Sequence, residues 1–148
     1  MTVLCDYSVI HAGRVVIGNG SDPNDPNIEF EKDGSAFGKG SPMFSKKFNT
    51  DGRHDAQAVL MINVQGLTDG NAVVFVNNKP VNPLTPSPQG NSSQTFTQHM
   101  VLPSDLLSPT GGNNLLVIKR VLEGAGVNPK DFDDFVVRDI VCFFKQSA

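Results

Sequence analysis

The residues able to do chemistry in this chain are few and scattered. His11, His54 and His99 each stand alone, and no H-x-x-x-H, H-E-x-x-H or C-x-x-C pattern occurs, so the closely spaced ligand pairs of a zinc centre are missing. A nucleophilic hydrolase needs a serine or cysteine held beside a base. There is no G-x-S-x-G elbow, and Cys5 and Cys142 both lie in apolar runs that raise a thiol pKa. Gly34 to Gly40 is glycine-rich but lacks the spacing of a phosphate-binding loop or a dinucleotide fingerprint. Asp131, Asp133 and Asp134 crowd a single turn, whereas two carboxylates working on a glycosidic bond must stand on opposite sides of it. These acids read as a solvated turn, and the chain reads as non-enzymatic, with no catalytic residue assigned.

Binding chemistry is better represented. Asp22, Asn24 and Asp25 offer oxygen ligands to a hard cation such as calcium, which takes six to eight of them, although their order does not match an EF-hand loop. Turn chemistry explains the same Asn, Asp, Pro and Gly content without a metal. Arg53, His54, Asn77, Asn78, Asn82 and Gln98 supply the planar polar groups that fix ligand hydroxyls, with Gln89 and Asn91 in the loop between. Aromatic platforms are scarce: there is no tryptophan and one tyrosine, Tyr7, and among ten phenylalanines Phe37 and Phe44 are those expected to be exposed, beside a glycine-rich stretch.

These residues must be positioned by strands, because period-2 alternation recurs along the chain and no convincing amphipathic helix does. The pattern predicts strands at Val3 to Ile10, Arg14 to Gly18, Ile28 to Lys32, Met43 to Phe48, Ala56 to Gln65, Ala72 to Asn77, Gln94 to Leu102, Asn114 to Leu122 and Phe135 to Lys145. In the fifth, Ala58, Leu60, Ile62 and Val64 should face the core. Residues 18–27, 33–42 and 80–93 read as loops, the last because its four prolines hinder ladder pairing. The final strand is unusual. Phe135, Val137, Val141 and Phe143 fall on one face and Val136, Ile140, Cys142 and Phe144 on the other, so both faces are apolar and ask either for a covering loop or for a subunit interface.

Length and charge bound the remainder. The 148 residues suit one domain, 1–148, with a single core. Twelve basic against fifteen acidic residues give a net charge of −3, and basic residues adjoin only at Lys46-Lys47 and Lys119-Arg120, which excludes the clustered positive field a nucleic acid needs. No apolar run approaches the ~20 residues of a membrane-spanning helix. The amino-terminal residues lack a basic stretch followed by an apolar one. The expectation is a soluble protein, cytoplasmic or released without a cleaved signal peptide. Cys5 and Cys142, near opposite ends, read either as two reduced buried thiols or as a disulfide joining neighbouring terminal strands.

Two segments suggest a fold family. Ala72-Val-Val-Phe-Val-Asn-Asn-Lys-Pro-Val81 is a strand entering an Asn-rich turn, and His99 to Ile118 runs strand, Pro-initiated turn, Gly-Gly-Asn-Asn loop, strand. Together, over roughly residues 56–122, they resemble galactose-binding-like jelly-roll domains, with Asn78 where those carry glycine. The resemblance implies an all-β, antiparallel jelly-roll β-sandwich of eight or nine strands, lectin-like recognition of a carbohydrate or glycan through end loops, and a structural calcium near the early strands. The alternative is a structural or assembly subunit of a multiprotein or phage-like particle, a homo-oligomer formed through apolar strand surfaces.

Overall fold

In the computed structural model the described residues are 3–18, 20–22, 24–30, 42–53, 55–68, 72–87, 93–120 and 134–147. They form nine strands and no helix: β1 (Val3–Ile17), β2 (Ile28–Phe30), β3 (Pro42–Phe48), β4 (Ala58–Gln65), β5 (Ala72–Val76), β6 (Lys79–Pro83), β7 (Thr95–Leu102), β8 (Asn114–Arg120) and β9 (Phe135–Ser147). One sheet has the order β1-β9-β4-β7 and the other β2-β3-β8-β5-β6, with every pairing antiparallel. Leaving aside the short edge strand β2, the pairings nest: β1 with β9, β3 with β8, β4 with β7, β5 with β6. A long hairpin wound into two facing sheets produces that nesting, which defines the jelly roll.

Alternation decides which side chains enter the space between the sheets. Ala58, Leu60, Ile62 and Val64 of β4 are buried, as their period-2 spacing predicts, and they share one cluster with Phe44, Val74, Val76, Leu116 and Ile118 of the opposite sheet. Each fully buried Leu, Ile or Phe contributes roughly 1.5–3 kcal/mol of burial, so a one-residue slip of β4 would forfeit several such terms at once. Phe44 is wholly buried, a correction to its expected exposure, because it occupies an inward position of β3. Phe37 lies outside the described residues.

Three other expectations are revised. Residues 3–17 form one strand where two were expected, and the interruption near residues 10–13 is a bulge: the register runs Val9↔Val141, His11↔Ile140, Arg14↔Arg138. Asp139 takes φ 51° there, and its Oδ1 accepts the Gly13 N–H at 3.0 Å. The bulge resets the phase of β9. Phe135 and Val137 point into the core before it, and Ile140, Cys142 and Phe144 after it, so the two apolar faces of the sequence are largely one buried face and an outer pair, Val141 and Phe143. Finally, β6 is a strand despite Pro80 and Pro83. It lies at a sheet edge, where the missing N–H groups cost no ladder bond.

Both cysteines are free thiols, Cys5 exposed and Cys142 buried. They project from opposite faces of their sheet, Cys5 with the outward residues of β1 and Cys142 with the inward residues of β9. The two-thiol reading therefore holds, with one thiol exposed rather than both buried.

Candidate functional site

The sequence-predicted residues fall into three groups. Arg53 and Asn77 converge on the turn between β7 and β8. The Arg53 side chain is only 6% exposed; its Nε donates to Ser108 O at 2.9 Å and its Nη2 to Ser104 O and Leu107 O at 3.1 and 3.2 Å. Asn77 Nδ2 donates to Leu106 O at 2.8 Å and to Asn114 Oδ1 at 3.0 Å, while its Oδ1 accepts the Leu115 N–H. Asn114, which sequence reading passed over, is the hub. Fully buried, it accepts the Ser108 N–H at 2.8 Å and donates to Thr50 Oγ1 and Gly111 O at 3.3 and 3.2 Å. These side chains hold a turn in shape. Beside them lies a cleft of about 410 Å³ lined by Arg53, Asp55, Ser104, Asp105, Leu107 and Pro109.

Asn82 and Gln98 meet elsewhere, in a cleft of about 470 Å³ where the edge strands β6 and β7 face each other; Phe96, Thr97 and His99 also line it. Gln98 is buried and clamps Thr85 twice, accepting its N–H at 2.8 Å and donating to its carbonyl at 2.9 Å. Asn78 is exposed, at φ 67° in the β5–β6 turn, beside Phe75 and Lys119. The third group is Asp22, Asn24 and Asp25. Asp22 Oδ1 accepts the Asn24 N–H at 2.9 Å and Asp25 Oδ1 accepts the Asn27 N–H at 2.8 Å, two successive Asx turns. Among the described residues no three of His, Cys, Asp and Glu gather as metal ligands do. His54 and Asp131 lie outside the described residues. Asp134 Oδ1 accepts the Gly20 N–H at 3.2 Å.

A larger feature was not foreseen. The outward faces of β1, β9, β4 and β7 align in register, so the pairing itself builds rows across the sheet. One row is Tyr7–Phe143–Val59–Val101, with exposures of 63%, 43%, 36% and 53%. The next is Val9–Val141–Met61–His99. Beyond the bulge come Arg14–Arg138–Asn63–Thr97 and then Val16–Val136–Gln65–Thr95. With strands about 4.8 Å apart and rows about 7 Å apart, the four rows cover about 14 Å by 20 Å. The Tyr7 and Phe143 rings are tilted at 46° with centroids 6.3 Å apart.

Exposed apolar side chains are ordinary when single, whereas a continuous patch marks an interaction site. Here five of the six large hydrophobics exposed among the described residues, Tyr7, Val9, Val59, Val101 and Phe143, share this face. It ends on polar side chains: Thr97 Oγ1 donates to Asn63 Oδ1 at 2.6 Å, and Gln65 Nε2 donates to Ser93 O at 2.9 Å. Thr97 and His99 also line the Asn82–Gln98 cleft, so face and cleft are continuous around the β7 edge. The sequence signal was present in the outward-phase residues of β4, β7 and β9, but their adjacency depends on strand order and register.

No known protein family matches the chain, and no curated protein does. Among solved structures, the chain is similar to a family 29 carbohydrate-binding module from Piromyces equi, at 11% identity over 97% of this chain and 91% of that one, with a TM-score of 0.47. It is similar to a family 35 carbohydrate-binding module from an environmental isolate, at 14% identity over 100% of this chain and 98% of that one, TM-score 0.49. It is also similar to a cyclase from Fischerella sp. TAU, at 9% identity over 95% and 89%, TM-score 0.45.

Proposed function

We propose that this chain is a non-catalytic carbohydrate-binding domain that takes a saccharide chain on the outer face of its four-stranded sheet. One observation carries the reading: the registered row Tyr7–Phe143–Val59–Val101 lies parallel to a row of Arg14, Arg138, Asn63 and Thr97. A sugar ring is amphipathic, with C–H faces that pack on aromatic and aliphatic side chains and hydroxyls at the edge that need planar hydrogen-bonding partners. The face offers both within the length of a short oligosaccharide. The Asn82–Gln98 cleft extends it around the β7 edge and gives the exposed Asn82 a place in the same site. Arg53 and Asn77 act as scaffold for the adjoining turn.

The test is titration of saccharides followed calorimetrically and by amide chemical shifts. Amide shifts should concentrate in β1, β4, β7 and β9, and Tyr7→Ala or Phe143→Ala should each lower affinity about tenfold without unfolding the domain. Sedimentation is run in parallel. A stable dimer that Val101→Arg dissociates, with no saccharide bound, would replace this reading by an assembly role for the same face.

A further inference from the structure

We infer that the saccharide taken by this face is anionic, carrying carboxylate or sulfate groups; the inference rests on the platform reading above. It starts from the row beyond the bulge. Arg14 and Arg138 are direct register partners on the same outward face, and both are exposed. Like charges placed opposite each other across a ladder are destabilising. Neither the core nor the bulge requires a cation at position 14, since β1 continues outward there with no described acid opposite it in register.

Neutralisation is partial: the Arg138–Asp139 ion pair joins side chains that are 44% and 49% exposed, and solvent-screened pairs of this kind are weak. Arg138 Nε lies 3.6 Å from Asp139 Oδ2, beyond hydrogen-bond range, while Asp139 Oδ1 is occupied by the Gly13 N–H. Arg14 lines a hollow of about 260 Å³ with Gln65, Gly66, Asp134 and Val136, and there Asp134 Oδ1 accepts the Gly20 N–H. Asn63 adds a third donor, because its Oδ1 is taken by Thr97 and its amide nitrogen remains to donate. At the opposite end of the face Lys145, register partner of Cys5, is exposed. A chain of net charge −3 therefore sets cations at both ends of an apolar strip. Guanidinium groups match planar carboxylate and sulfate oxygens bidentately, so the arrangement fits acidic groups recurring along a saccharide chain.

The test compares three probes at equal chain length: an oligogalacturonide, its fully methyl-esterified and hence neutral form, and a sulfated galactose oligosaccharide, each titrated at low and high salt. Either acidic probe should bind about tenfold more tightly than the neutral one, with the preference shrinking at high salt, and the two acidic arms separate carboxylate from sulfate. Arg14→Gln with Arg138→Gln should bring the affinity for the acidic probes down to that for the neutral one, whereas Tyr7→Ala should weaken binding of all three probes and keep the acidic preference. Equal, salt-independent affinity for acidic and neutral probes would overturn the anionic inference and leave the platform standing. An acidic preference that persists unchanged in the double variant would place the charge recognition elsewhere and overturn the assignment to these arginines. Absence of binding to all three would overturn both readings.

Discussion

At the scale of single residues, polar side chains in this protein divide by where they spend their hydrogen bonds. Asn114 makes four of them inside the core, to Ser108, Asn77, Thr50 and Gly111, and leaves several partners unsatisfied if removed. Asn114→Ala is expected to cost about 3 kcal/mol, read as a lower urea midpoint at unchanged slope. Nearby Gly111 takes φ 79°, and a Cβ there would overlap the Thr50 carbonyl, so Gly111→Ala should destabilise as well. His11 behaves differently. Its Nε2 is buried without a partner and its ring stands edge-on to Phe44 at 5.3 Å. Burial pulls its pKa below the ordinary 6.5 and Lys46 acts in the same direction, against Asp25 and Asp139. The folded state then prefers the neutral ring. Below 6.5 the unfolded chain binds more protons, and stability falls with pH until the folded ring titrates too. His11→Gln should flatten the loss of urea midpoint between about pH 7 and about pH 5, and an unchanged slope would assign it to other groups. Sequence alone presents Arg53, Asn77 and Gln98 as candidate ligand-binding residues and His11 as an isolated histidine. Whether they meet a ligand or their own backbone depends on groups 13 to 55 residues away in the chain.

At the scale of elements, short-range signals were legible and phase was not. The β5–β6 hairpin turns on Asn77 and Asn78, both at positive φ as a two-residue loop of this kind demands. The two asparagines are not equivalent. Asn78→Gly should be neutral or stabilising by up to about 1 kcal/mol, since glycine accepts that backbone without strain, whereas Asn77→Gly loses three side-chain bonds and should destabilise by about 1–3 kcal/mol. Thermal unfolding of the pair checks the contrast. Strand existence was readable almost throughout from alternation, including the buried set of β4. The exceptions have identifiable causes. Prolines concealed β6 because an edge location cannot be seen locally, and a bulge at Asp139 shifted β9 by a residue, so that Val141 and Phe143 emerged on the outer face.

At the scale of the whole molecule, nesting of the pairings brings the first and last strands together and puts their outward residues into common rows with β4 and β7. It also separates the two thiols. Cys142 is fully buried and burial pushes its pKa up to about 12, while Cys5 is exposed. One thiol should therefore react with maleimide in the native protein and a second only after denaturation, and two rapid equivalents in native buffer would contradict this packing. The alternating pattern and the turn residues determined an all-β antiparallel sandwich, because those properties are local. The outer face was decided only by tertiary structure. Its four rows are made of residues separated by scores of positions in the chain, and they become neighbours through strand order, register and one bulge, none of which a local pattern encodes.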